Sequence, residues 1–260
     1  MQNLRKYGAP LYNIALIHGG PGAPGEMAPV ARELSAKVGV LEPFQTADTI
    51  GEQVEELRTI LTNNAALPVI LIGYSWGAWL SFITTACHPS LTKKLILVGS
   101  GPFEEKYARG IMNTRLGRLG DDERKEVLSL IKSFDACGSG NMSKKMARFG
   151  QLISKADSYD PLPHATDIIG MDFHIFQSVW KDAEQLRRSG ELLKYGKHIQ
   201  CPVLAIHGTY DPHPAEGVEK TLSRVLKDFR LVVLQNCGHT PWLERQAKDR
   251  FYEVLKGECI

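Results

Sequence analysis

Leu67-Pro68-Val69-Ile70-Leu71-Ile72-Gly73-Tyr74-Ser75-Trp76-Gly77-Ala78-Trp79-Leu80 continues in a helical pattern to Cys87-His88-Pro89. A β-branched apolar run reads as a buried strand, and Leu80, Ile83, Thr84 and Cys87 recur at helical spacing. Between them stands Gly-x-Ser-x-Gly with no room for a loop. A strand that turns sharply into a helix strains the residue at the corner, and glycines on both sides remove side chains that would strike the strand or the helix. Ser75 Oγ is then displayed at the carboxyl end of a sheet. It lies over a helix amino terminus, where free N–H groups favour negative charge.

Outward from this stretch the same alternation recurs. Asn13-Ile14-Ala15-Leu16-Ile17 is a short strand closed by His18-Gly19-Gly20-Pro21-Gly22, and a helix follows over about residues 27–37. Gly39-Val40-Leu41 reads as a second strand. Thr49 with Glu52 has capping-box spacing for a helix carrying Val54, Leu57, Ile60 and Leu61. Lys94-Leu95-Ile96-Leu97-Val98-Gly99, Cys201-Pro202-Val203-Leu204-Ala205-Ile206-His207 and Phe229-Arg230-Leu231-Val232-Val233-Leu234 are further strands. Short apolar strands between helices imply an α/β fold, a mostly parallel sheet with helices on both faces. Residues 101–199 break the alternation and show only helical patterns, at about 121–134, 142–153 and 174–193. Met112, Met142, Met146, Met171, Phe173, Phe176 and Trp180 in this block fit either an adaptable cavity lining or the core of a small helical unit.

Composition narrows the function. The 260 residues hold 31 basic and 29 acidic side chains, a net charge of +2. No basic stripe or polybasic patch suggests nucleic acid or membrane as a partner. Cys87, Cys137, Cys201, Cys237 and Cys259 are odd in number and lack Cys-x-x-Cys spacing, which fits a reducing cytoplasm better than a disulfide framework or a zinc site. His88, His164, His174 and His198 show no ligand spacing, so no metal or other cofactor is expected. No signal peptide or membrane span is expected either.

Ser75, Asp211 and His239 each follow a strand end, and in a parallel sheet those ends share one edge. A serine hydroxyl needs a base; imidazole is suited to that near neutral pH, and a carboxylate fixes its tautomer. The order Ser, Asp, His matches the order this type of sheet uses. The expected catalytic set is therefore Ser75, His239 and Asp211. Asp48 and Glu42 are weaker candidates for the acid, and His213 stands too close to Asp211 in the chain to orient it comfortably. Oxyanion donors are expected from the Trp76 and Gly20 amides. His18 and Cys237 read as packing residues and His207 as core.

His18–Gly22, Gly73–Gly77, Gly208-Thr209-Tyr210-Asp211 and Gly238-His239 together resemble the proline-iminopeptidase-like branch of the α/β-hydrolases. The resemblance covers about residues 13–101 and 200–260. It implies a hydrolase core over 1–100 and 200–260 with a helical cap inserted over 101–199. In that family the matching serine, aspartate and histidine form the catalytic triad. Members carry two antiparallel strands before the one matching Asn13–Ile17, and the short lead here implies a trimmed sheet of about six strands. Their glycine-rich turn after the second strand is replaced by Leu41-Glu42-Pro43-Phe44-Gln45-Thr46. Iminopeptidases also need acidic cap residues, for which Glu104, Glu105, Glu184 and Glu191 are candidates. The expected function is hydrolysis of a small ester, thioester or amide through an acyl-enzyme. The alternatives are a lyase, C–C bond hydrolase or acyltransferase using the same groups, and a non-catalytic ligand-binding relative.

Overall fold

A computed structural model describes residues 3–135, 142–163, 167–170 and 172–260. Cys137, His164 and Met171 lie outside the described residues. The strands are β1 Leu4–Tyr7, β2 Tyr12–Ile17, β3 Gly39–Pro43, β4 Val69–Tyr74, β5 Thr92–Val98, β6 Val203–Gly208 and β7 Phe229–Leu234. They form one sheet of seven strands in the order β1-β3-β2-β4-β5-β6-β7. The six strands read from sequence are all parallel. The seventh, β1, was not expected: it pairs antiparallel with β3, Leu4 opposite Pro43 and Tyr7 opposite Val40. The expectation of about six strands is thus one short of the seven found among the described residues.

The central strands read as unbroken apolar runs because both faces are covered. Alternate residues divide cleanly. Ala15, Ile17, Leu71, Leu95, Leu97 and Ala205 pack on one side with α2 Ile50–Asn64 and α3 Trp76–Cys87. Ile14, Leu16, Ile70, Ile72, Ile96 and Ile206 face α1 Ala28–Ser35 and α11 Lys248–Cys259 on the other. Thr49 caps α2 as its spacing predicts, accepting the Glu52 N–H at 3.2 Å.

After β5 come α4 Glu105–Ala108, α5 Ile111–Gly117, α6 Asp121–Asp135, α7 Met142–Asp157, α8 Phe173–Ser189 and α9 Glu191–Lys194. The helical pattern at 174–193 is broken by Gly190, whose φ of +77° ends α8 in the left-handed region that glycine tolerates. Leu119, Val127, Leu152 and Ala156 form a small separate core around α6 and α7. Ile175, Val179 and Ala183 of α8 instead join the apolar layer over the sheet. The remaining helix, α10 Glu216–Leu222, lies between β6 and β7. No helix among the described residues is long and apolar enough to cross a membrane.

Candidate active site

Ser75 occupies the corner between β4 and α3 with φ +53° and ψ −116°, a strained backbone for a non-glycine residue. The flanking glycines are forced by contact. A Cβ on Gly73 would lie 2.1 Å from the Gly77 carbonyl oxygen, and one on Gly77 would lie 2.3 Å from the Ile17 carbonyl oxygen and 2.4 Å from that of His18. The corner therefore fits only when both positions lack side chains.

The three residues expected to meet do so. His239 Nε2 is 3.0 Å from Ser75 Oγ, and His239 Nδ1 is 2.7 Å from Asp211 Oδ2. The carboxylate can only accept, so Nδ1 carries the proton and Nε2 is left to accept from the serine. Burial alone disfavours the charged imidazole, but the adjoining Asp211 carboxylate outweighs it and holds His239 above its ordinary 6.5. Burial would likewise raise Asp211. The imidazoles of His239, His213 and His207 around it hold it well below the usual carboxylate range instead.

His213 differs from its expectation. The Asp211 Oδ1 accepts both the His213 main-chain N–H at 2.9 Å and its Nδ1–H at 2.8 Å. Two residues of separation is the spacing of an Asx turn, which folds the main chain back onto the carboxylate and brings the ring with it. His213 is therefore a direct partner of Asp211, and its ring lies 4.7 Å from that of His239. Burial, opposed by Asp211, pushes its pKa down to about 4. His207 is buried as expected, its Nε2 donating to the His213 carbonyl at 2.7 Å and lying 3.5 Å from Asp211 Oδ2. Asp211, His213 and His239 offer potential metal-ligand atoms within 4.8 Å of one another. Both carboxylate oxygens already accept imidazole N–H groups, the pattern of a hydrogen-bonded relay. Glu42 is spent elsewhere, accepting the Tyr7 hydroxyl at 2.6 Å, and Asp48 is exposed.

The loop after β2 is held from behind. His18 is fully buried; its Nδ1 donates to the Gly19 carbonyl at 2.8 Å and its Nε2 accepts the Gln45 N–H at 3.3 Å. Gln45 Nε2 also donates to the His18 carbonyl at 3.0 Å, so the segment after β3 braces this loop. A planar trans peptide directs the Gly20 N–H opposite to the Gly19 carbonyl, away from His18. Gly20 has φ +33°, and Trp76, as the first residue of α3, has an N–H with no acceptor inside the helix.

Two features were missed in the sequence. Glu26 is half-buried, with its carboxyl against Gly19 and Tyr74; burial pushes its pKa up to about 7, partly offset by His239. Glu244 is 1% exposed and accepts three main-chain N–H groups, from Gly238 at 3.0 Å, Tyr159 at 2.9 Å and Asp160 at 2.8 Å. A lone carboxylate beside Pro241-Trp242-Leu243 was the available signal for it. Cys237 is buried with its thiol pKa pushed up, as a packing residue should be.

The four acidic candidates in the helical segment are all committed to ion pairs. Glu104 meets Lys106 and Arg224, Glu105 and Glu184 meet Arg187 and Arg188, and Glu191 meets Lys194. Trp79 stacks on Trp180 of α8 with centroids 6.2 Å apart and planes 2° from parallel, and Trp180 stacks in turn on Phe176. A groove of about 750 Å³ between α2, α3 and α8, lined in part by Val54, Ile83, Cys87, Gln185 and Tyr195, lies apart from Ser75.

Comparison with known proteins agrees with this architecture. A pimeloyl-[acyl-carrier protein] methyl ester esterase of Nitrosospira multiformis is 24% identical over 185 residues, 69% of this chain. The chain spans 64% of that relative's length, less than two-thirds. The crystal structure of VinJ superposes with a TM-score of 0.69 at 20% identity, covering 98% of this chain and 93% of that one. Proline iminopeptidase of Mycobacterium smegmatis gives a TM-score of 0.63 at 16% identity, over 98% and 93% of the two chains. These likenesses show the fold. The sequence profile of the alpha/beta hydrolase family matches residues 14–254, nearly the whole chain, and the chain belongs to that family.

Proposed function

We propose that the protein is a serine hydrolase that cleaves a small acyl ester through an acyl-enzyme. The observation that carries this reading is the continuous line from Ser75 Oγ to His239 Nε2 at 3.0 Å and from His239 Nδ1 to Asp211 Oδ2 at 2.7 Å. Ser75 attacks the acyl carbonyl while its proton passes to His239 Nε2. Asp211 stabilises the imidazolium. The Gly20 and Trp76 amides receive the developing oxyanion; losing one such donor typically costs about 3–4 kcal/mol of transition-state stabilisation. The proton then moves from His239 to the leaving alkoxide, and the C–O bond breaks. Water then attacks the acyl-serine while giving its proton to His239, which passes it to Ser75 Oγ as the acyl–Oγ bond breaks and the acid is released. Residues 101–199 act as the cap over this site.

Two observations favour an ester over an amino-terminal peptide bond. Glu104, Glu105, Glu184 and Glu191 are each paired with basic side chains, leaving them poorly placed to hold a substrate ammonium. The curated relative is named an esterase. The test is a panel of p-nitrophenyl esters of increasing acyl length beside amino-acid p-nitroanilides. Ester turnover that exceeds anilide turnover and vanishes in Ser75→Ala supports the reading; preferred cleavage of the anilides overturns the substrate class.

A further inference from the structure

The loop that carries His239 is fastened to the helical segment 101–199 at several points. The His239 main-chain N–H donates to the Asp157 carbonyl at 2.9 Å, at the last residue of α7. The Asp157 carboxylate is gripped by Arg115 of α5 through a fork, Nε to Oδ1 at 2.7 Å and Nη2 to Oδ2 at 2.6 Å. Only 15% of the Arg115 side chain and 6% of the Asp157 side chain are exposed, so the pair is shielded from solvent. Arg118 donates to the Ala156 carbonyl at 2.9 Å, and its guanidinium lies 3.6 Å from the ring of Tyr210, the neighbour of Asp211. On the other side, Glu244 joins Gly238 to Tyr159 and Asp160 through its three main-chain donors. The contact is too close for a side chain at position 238: a Cβ there would sit 2.2 Å from the Asp157 carbonyl oxygen and 2.4 Å from Glu244 Oε1.

We propose that Arg115 and Asp157 are positioning residues for His239, so that the helical segment itself sets the placement and the charge environment of the proposed base. This rests on the reading of His239 as that base. Neither side chain bonds the imidazole; they act through the Asp157 main chain and through their opposed charges. A neutral, buried, forked pair presents nearly balanced charge to the ring. Breaking it on one side leaves an uncompensated ion nearby, the costly state of a buried pair.

Among the described residues, the titratable groups facing His239 come from several elements, and His207 of β6 stands behind them, 3.5 Å from Asp211 Oδ2. Asp211 and His213 approach from the loop after β6, and Tyr74 from the end of β4, with its ring 5.0 Å away. Glu26 lies on the loop after β2 and Ser75 at the head of α3, and Asp157 and Arg115 approach from the helical segment. Asp157 raises the pKa of His239 and Arg115 lowers it, both behind the larger effects of burial and Asp211.

The test is the pH dependence of kcat/KM for p-nitrophenyl ester hydrolysis by the full chain and its variants. Arg115→Met removes the cation and leaves the Asp157 carboxylate unbalanced, which favours the imidazolium. Its acid limb should move to higher pH by about half a unit or more. Asp157→Asn leaves the guanidinium unbalanced and should move the limb the other way. The double variant should return close to the wild-type position. KM should change little, since the two side chains bond each other and neither bonds Ser75 or the His239 ring. General structural damage would lower kcat without opposite shifts that cancel in the double variant. If Arg115→Met does not fold, Asp157→Asn decides alone, because it keeps the main-chain carbonyl that holds His239. A folded Asp157→Asn with an unmoved limb, or two single variants that shift the same way, overturns the proposal. A wild-type enzyme with no acid limb and a His239→Ala variant that retains turnover would remove the base reading itself, and the proposal with it.

Discussion

Replacing Asp211 by asparagine changes one atom and should nearly abolish turnover, for a reason particular to this site. The carboxylate accepts three N–H groups: His239 Nδ1 at 2.7 Å on Oδ2, and the main chain and Nδ1 of His213 at 2.9 and 2.8 Å on Oδ1. An amide has a single acceptor oxygen. The His213 main-chain N–H cannot reverse its polarity, so the amide oxygen stays on the His213 side. The amide NH2 then faces His239 Nδ1, donor against donor. His239 escapes only by moving its proton to Nε2, where it points at Ser75 Oγ and can no longer take a proton. In another serine triad the same loss of tautomer lowers kcat by about 10⁴-fold, equivalent to about 5.5 kcal/mol. The expected result is a fall of that order in kcat for p-nitrophenyl esters with KM little changed, in a protein whose circular dichroism matches the wild type. An Asp211→Asn variant within about tenfold of wild-type kcat would refute the assigned tautomer.

Stability should decline sharply in mild acid. Burial holds His18 at about 4 against an ordinary 6.5, so its neutral form favours folding above 6.5 and that advantage is lost as pH falls towards 4. The gap of about 2.5 units corresponds to about 3 kcal/mol. His213, also held to about 4, acts in the same direction, whereas His239, raised above 6.5, and Glu26, raised to about 7, contribute stability at low pH that is lost as pH rises through those values. Two histidine shifts of this size outweigh the opposed carboxyl, so the urea midpoint should be lower at pH 4 than at pH 7; an equal or higher midpoint at pH 4 would contradict it. Gly77→Ala forces a methyl group to within 2.3 Å and 2.4 Å of two main-chain oxygens of β2 and its loop. It should cost about 1–3 kcal/mol or more and displace Ser75, seen as a lower unfolding midpoint together with lost esterase activity. Wild-type stability with full activity would count against the packing argument.

How legible the molecule was in its sequence follows from burial. The parallel strands declared themselves because each is covered on both faces and must be apolar throughout. β1 escaped notice because it is an edge strand, paired on one side only and carrying Arg5 and Lys6, whose charged ends lie over the rings of Phe44 and Tyr12. Ser75, Asp211 and His239 were legible because each follows a strand and the topology brings the strand ends together. The partnership of His213 with Asp211 was not, because chain proximity suggests awkward geometry until the turn folds the main chain back. Glu244 belongs to the same class, because it accepts main-chain groups supplied by the distant Tyr159 and Asp160, and Glu26 is set by its packing against Tyr74; periodicity carries no trace of either. The broken helix at Gly190 could have been placed from the glycine itself.

The most direct measurement of the central claim is covalent labelling of the intact chain by a fluorophosphonate, followed by mass spectrometry of the peptide containing Ser75. The account predicts one adduct per chain on Ser75 Oγ, prevented by Ser75→Ala, greatly slowed by His239→Ala, and slowing as pH falls through the raised pKa of His239. Labelling at another residue, or at an unchanged rate in His239→Ala, would contradict it.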